Sequence, residues 1–550
     1  MDASEPSSVA ETPDRDGAFP RLSEGQTETL VARGRRRQTE VGERLYSQGD
    51  SPYDFYLIVE GLVSAHADAE AEEPPVGVHG TRRFLGELGL LTGQPAFFTT
   101  VVRAAGEVLQ VTPETLRALV AEDAALGDLV LRAFLMRREL LSGLGGGLKI
   151  VGSRYLPDTR RLCDFAARNR LPFRWIDPER DPGAEALLSR LGVPPEETPV
   201  VVWGKRVWRN PRNAELAAAV GMREAPPRDR VSDLVVVGAG PAGLAATVYG
   251  ASEGLLTLVL DGVAVGGQAS ASSRIENYLG FPSGISGAEL AERATMQARK
   301  FGARIAVGAP AVGLERRDGG HAIALEDGTT LEARAMLIAT GARYRRLPVE
   351  RLEQFEGAGV HYEATFVEEQ LCVGEPVAVV GGGNSAGQAA VFLAQHAQRV
   401  YLLLPHAELA RDMSRYLADR IEALPTVEVR RETEVRELLG DDSLDGIVVE
   451  DLPSGERRQL DVHELFVFIG AEPCTGWLDG AVPLDRNGYV LTGRDAPQNG
   501  SEAPPALLET GVPGILAAGD VRAGSIKRVA AAVGEGAMAV RLVHAQLTRA

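Results

Sequence analysis

A chain of 550 residues is longer than one hydrophobic core can organise, and three or four domains are expected. Its 76 acidic against 58 basic side chains give a net charge of -18, which excludes a broad basic face gripping nucleic acid through its phosphates. Hydrophobic residues at 44% and charged residues at 24% are the balance of a soluble globular protein. Cys163, Cys372 and Cys474 lie far apart with no Cys-x-x-Cys, so neither a disulfide scaffold nor a thiolate metal site is expected, and a reducing, cytoplasmic setting is.

The opening stretch MDASEPSSVAETPDRDGAFP has no apolar centre and reads as a disordered acidic tail over 1–20, not a leader. No apolar run approaches the length of a membrane span. The arginine run at 33–37 reads as a solvated surface. Residues 21–145 carry short strand-like runs with Gly-Asp turns. They close on a helical pattern of Leu126, Leu129, Val130, Ala133 and Phe134. Gly49-Asp50, Phe55-Tyr56, Glu60-Gly61 and FLGELGLLTGQ (84–94) make this segment resemble the cyclic-nucleotide-binding β-roll. The resemblance implies that Gly86 and Glu87 open a phosphate cassette whose glutamate holds a ribose hydroxyl. The following 95–102 contains no arginine to neutralise a cyclic phosphate. Burying that charge alone is costly, so a retained fold with weak or absent cyclic-nucleotide binding is expected, or use as a docking module.

Glycine punctuation at 142–147 and a charged Pro-Pro linker at 223–230 bracket a small α/β unit, 148–225. It resembles a thioredoxin or glutaredoxin domain, with Thr198-Pro199-Val200 matching that family's cis-proline turn. The turn that carries reactive cysteines in that family reads SRYLPDT here, and Cys163 lies deeper in the helix as a small hydrophobe.

From 231 onward the chain repeats strand, glycine turn and helix twice. The first turn has Gly238, Gly240 and Gly243, followed by Pro241 and Ala242 at the helix start, with Asp261 ending the next strand. This spacing lets a pyrophosphate approach the backbone at a helix N-terminus, and the acid stands where a ribose hydroxyl is held. The second has Gly381, Gly383 and Ala386, with Asn384 and Ser385 between. Two such turns in one chain imply two dinucleotides handled together, and a flavin with a nicotinamide is the natural pair.

Residues 231–550 resemble the thioredoxin-reductase-like flavoproteins. Gly267 and Gln268 in GGQ, Asn277 in IENYLGFP, and Thr340 and Gly341 in IATGA carry that likeness. So do Gly519 and Asp520 in GILAAGDV, and Arg528 and Val529 in KRVAAAVGEG. The resemblance implies contacts from these residues to FAD, with NADPH or NADH over the second turn. It divides the region into a FAD-binding domain, 231–345 with 476–550, and a NAD(P)-binding domain, 346–475. It also implies a hinge near 343–348 and 473–477, and a homodimer. The expected fold is multidomain: an α/β reductase with two dinucleotide-binding domains, preceded by an α+β cyclic-nucleotide-binding β-roll and a small thioredoxin-like domain.

Two departures bear on function. Glu363 and Phe366 stand where the family carries its cysteine pair, and neither side chain can take electrons from a flavin or attack a disulfide. Where NADPH-specific relatives place arginines after the second strand, this chain has Pro405 and His406, with Arg411 displaced, and no acid ends the strand to favour NADH, so NADPH is expected only as the resemblance implies it. The expected activity is therefore electron transfer from NAD(P)H through FAD to an external acceptor, such as a ferredoxin-like protein or a quinone. A disulfide reductase using Cys163 and Cys372, and a flavin- or nucleotide-responsive sensor, are the alternatives.

Overall fold

The computed structural model describes residues 10–15, 17–66, 75–143, 147–223, 231–272, 274–317, 319–356, 359–362, 364, 372–441, 443–498 and 504–549. The chain forms two compact units, Met1–Gly152 with Asn169–Met222 and Ser153–Arg168 with Arg223–Ala550. No described helix is long and apolar enough to cross a membrane.

In the first unit, the long strands Phe55–His66 and Thr99–Val111 pair antiparallel and are flanked by Arg35–Thr39 and Gly77–His79. Register shifts near Glu60 bend this ribbon into a roll. Glycine is required there: Gly61 has φ +105°, and a Cβ on Gly106 would lie 2.2 Å from the Glu60 carbonyl oxygen. Thr112 caps the helix Pro113–Glu122, and the helix Ala124–Gly143 follows, burying Leu126, Val130, Ala133 and Phe134 completely.

Arg137 of that last helix is buried and donates to the carbonyls of Ala18, Phe84 and Gly86 at 2.7, 3.0 and 2.8 Å. Its guanidinium lies 4.5 Å from the Phe84 ring centroid. This arrangement corrects the expectation of disorder through residue 20. The Thr12 amide bonds the Val78 carbonyl, and Ala18 and Phe19 are buried against the arginine and its rings, so apolar contact orders the end of the acidic stretch. The 33–37 run is a charged surface, with Arg33, Arg36 and Arg37 paired to Glu122, Glu107 and Glu43.

The small sheet of the same unit runs Arg206–Arg209, Val200–Trp203, Leu148–Val151, Phe173–Ile176. Leu148–Val151 is parallel to Phe173–Ile176 and antiparallel to Val200–Trp203, the strand order and directions of a thioredoxin fold. The Thr198–Pro199 bond is cis.

The second unit holds the two glycine-turn domains. The first has parallel strands Arg304–Val307, Thr257–Asp261, Ser232–Val237 and Thr330–Ile338, extended by an antiparallel pair and by Ile515–Ala517. Small residues let the helices Pro241–Ser252 and Val529–Arg549 approach closely: a Cβ on Gly536 would lie 2.1 Å from the Ala242 carbonyl oxygen. The other domain has a five-stranded parallel sheet, Val360–His361, Glu464–Val467, Pro376–Val380, Arg399–Leu403, Val427–Arg430. Ala342–Tyr344 and Ala471–Pro473, the two chain crossings between the domains, pair antiparallel as a narrow connector.

Candidate functional site

Each glycine turn joins a buried apolar strand to a helix that has no side-chain cap, leaving its first amides available to an anion. In the first, Gly238 has φ +104°, and a Cβ there would lie 2.3 Å from the Ala339 carbonyl oxygen. Gly240 faces Gly267 closely enough that a Cβ on Gly267 would sit 3.0 Å from the Gly240 Cα. In the second, Gly381 has φ +141°, while a Cβ on Gly383 would meet nothing within 4 Å. That open space beside bare helix amides suits a pyrophosphate.

Both turns line one continuous cavity of about 2670 Å³ within the second unit. Around it stand Gly238, Gly240, Pro241, Ala242, Asp261, Gly267, Gln268 and Asn277 from the first half of the sequence-derived set. Thr340, Gly341, Gly519, Asp520, Arg528 and Val529 complete that wall, and Gly381, Gly383, Asn384 and Ser385 form the other. Gly243 and Ala386 do not line it. A Cβ on Gly243 would lie 1.8 Å from the Gly238 carbonyl oxygen, and Ala386 is wholly buried, so both serve helix–strand packing.

Several of these side chains also tie the cavity wall together. Asp261 accepts from the Ala239 amide at 2.8 Å and from Val263 and Ala264 at 2.9 and 3.0 Å, clamping the first turn to the loop beyond its strand. Burial raises its carboxyl despite these three donors. Gln268 donates to the Ala342 carbonyl, and Thr340 donates to that of Cys474 at 2.8 Å. The Gly519 amide donates to Glu535 at 2.7 Å, and Glu535 is held by Arg522 at 2.5 Å, which fixes the backbone beside Asp520.

The lining also includes the group Tyr362, Glu356 and Arg346, outside the sequence-derived set. The Tyr362 hydroxyl donates to Glu356 at 2.6 Å, and Arg346 pairs with the same carboxylate. Burial, then the bond to Glu356, pushes the Tyr362 hydroxyl far up. The available signal was position, since Tyr362 directly precedes Glu363. Glu363 and Phe366 themselves lie outside the described residues. Cys372 is fully buried in the apolar core with Val377, Val379 and Phe466. Cys163 is buried on its helix, and desolvation drives its thiol far above the ordinary range. Thiolate chemistry is unfavourable at Cys163.

The β-roll cassette is arranged differently. Glu87 is buried, and its carboxylate accepts from the Phe97 amide at 2.7 Å. The Phe97 ring stacks on Trp203 at 5.2 Å and lies 5.7 Å from the Arg138 guanidinium. A Cβ on Gly86 would meet Leu90 at 2.4 Å. Burial pushes the Glu87 carboxyl up to about 7. The glutamate and backbone that the resemblance assigns to a ribose are engaged with the protein's own groups.

Residues 36–123 match the cyclic nucleotide-binding domain model. The chain is 34% identical over 312 residues to a 34.2 kDa protein in the rubredoxin operon of Clostridium pasteurianum, covering 57% of this chain and 96% of that one. It is 33% identical over 308 residues to an alkyl hydroperoxide reductase component of Staphylococcus epidermidis, covering 56% of this chain and only 57% of that longer relative. Thioredoxin reductases of Lactococcus lactis and T. acidophilum share the fold at 26% and 29% identity, each with a TM-score of 0.53 over 58% of this chain and 100% of theirs. Residues 232–536, more than half of the chain, match the model that unites both glycine turns and the cavity between them, so the protein belongs to the pyridine nucleotide-disulphide oxidoreductases.

Proposed function

We propose that the protein is a FAD-dependent NAD(P)H oxidoreductase that delivers electrons to an external acceptor, without a disulfide relay of its own. The observation that carries this reading is the single cavity running under both glycine turns. A flavin held there would supply acceptance of a hydride from a reduced nicotinamide and its release as single electrons or pairs. The chain's task is binding and orientation. The helix amides at Gly240 and Gly383 would receive two pyrophosphates, and Asp261 holds the first turn in shape.

No Cys-x-x-Cys exists in the chain to take electrons onward. The names of the relatives, one from a rubredoxin operon and one a component of a peroxide reductase, favour a small redox protein as acceptor. The buried positions of Cys163 and Cys372 weigh against a thiol pair. We further propose that the β-roll serves as a scaffold, because Glu87 and Phe97 satisfy one another. The test is steady turnover of NADH or NADPH with ferricyanide and with rubredoxin- and ferredoxin-type proteins, alongside Cys163→Ser and Cys372→Ser. Turnover that survives both substitutions supports an external acceptor, and turnover lost in either without loss of folding refutes it.

A further inference from the structure

The cavity also contains a charge arrangement that bears on which nicotinamide dinucleotide enters. In a doubly wound domain, the adenosine ribose lies at the C-terminal end of the strand next to the glycine strand. Here that strand is Arg399–Leu403, parallel to Pro376–Val380, and the chain leaves it through Pro405 and His406, both lining the cavity. The His406 ring lies over the second glycine turn: a Cβ on Gly382 would meet its Nε2 at 2.5 Å.

Asp412 is brought to the same place by the backbone. It bridges Gly383, and the Asn384 side chain accepts from the Ser414 amide at 2.8 Å, so residues 412–414 are fastened to the turn. The Asp412 carboxylate lies 3.5 Å from His406 Nε2 and 3.6 Å from Arg411 Nε. Arg411, the cation that a 2′-phosphate would need, is thus already beside a carboxylate. A 2′-phosphate dianion entering there meets the Asp412 carboxylate and finds Arg411 already paired with it, whereas a ribose hydroxyl meets an acceptor.

We propose that Asp412, placed against His406 and Arg411, selects against the 2′-phosphate and makes NADH the preferred reductant. This rests on the reading of the Gly381 turn as the nicotinamide-dinucleotide site. The test is calorimetric binding of NAD+ and NADP+ to the purified full chain, with Asp412→Asn and the double variant His406→Arg, Asp412→Asn, each checked for an unchanged Tm. NAD+ is expected to bind at least tenfold more tightly (about 1.4 kcal/mol). Asp412→Asn should narrow that gap at least threefold by strengthening NADP+ binding, and the double variant should reverse it. NADP+ binding as tightly as NAD+ to the unaltered protein, or a gap that Asp412→Asn leaves in place, overturns the proposal while leaving the site intact. Binding of neither dinucleotide removes the site reading itself, and the proposal with it.

Discussion

The glycine turns of the second unit and the Gly86-Glu87 cassette of the β-roll look alike as motifs: glycine for a tight backbone path and a helix start for a phosphate. In the structure they diverge. Around Gly383 there is open space. Around Glu87 the carboxylate has bonded the Phe97 amide, and Phe97, Trp203 and Arg138 fill the surroundings. A motif therefore specifies the path of a backbone, while the size of the side chains that follow decides whether a ligand can enter. Small residues follow the second turn (Asn384, Ser385, Ala386), whereas two phenylalanines, Phe97 and Phe98, follow the cassette.

The largest effect is expected where a glycine is required by packing. In Gly243→Val the first added carbon would stand 1.8 Å from the Gly238 carbonyl oxygen, so helix and strand must separate. Purified protein should carry no flavin absorbance and should melt well below the unaltered chain. A yellow, stable variant would show that the first turn is not held by that contact.

The closed cassette predicts a pH response. Because the Glu87 carboxyl is raised from 4.5 to about 7, the folded chain binds its proton more tightly than the unfolded chain does. The resulting stability is full below the unfolded value and is lost as pH rises from about 4.5 through about 7. Glu87→Gln keeps an acceptor for the Phe97 amide and removes the charge. It should flatten the pH profile of the first-unit melting transition, with a gain at pH 8 of up to about 3 kcal/mol. An unchanged profile would mean that Glu87 is hydrated and the cassette open.

A smaller effect is expected from filling the open turn. Gly383→Ala should leave Tm unchanged, since its Cβ meets nothing within 4 Å, but should weaken dinucleotide binding about tenfold by occupying room beside the pyrophosphate. The smallest is no effect at all: millimolar cyclic AMP or cyclic GMP should not shift the melting of the first unit, and a clear shift would show that Phe97 and Trp203 yield to a ligand.

Much of this was legible from residues whose chemistry is local. The two strand–turn–helix repeats announce themselves because only glycine tolerates the φ of Gly238 and Gly381, and the late Gly519-Asp520 motif is equally rigid. The cis Thr198–Pro199 bond and the buried helix face of Leu126, Val130 and Phe134 follow from short patterns too. What escaped the sequence depends on contacts between distant segments. The acidic start was expected to be disordered, yet Phe19 finds Arg137 more than a hundred residues away. Asp261 was assigned to a ribose, and its bonds to three backbone amides depend on how the turn folds back. The Tyr362–Glu356–Arg346 group has no sequence spacing that marks it.

The central claim is that electrons leave the flavin without passing through a disulfide in this chain, and counting them tests it. In an anaerobic titration of the purified flavoprotein, one equivalent of reduced nicotinamide dinucleotide per flavin should bleach the flavin band completely, because two electrons fill the only acceptor present. Consumption of a second equivalent before bleaching is complete would reveal a hidden redox disulfide and contradict the account.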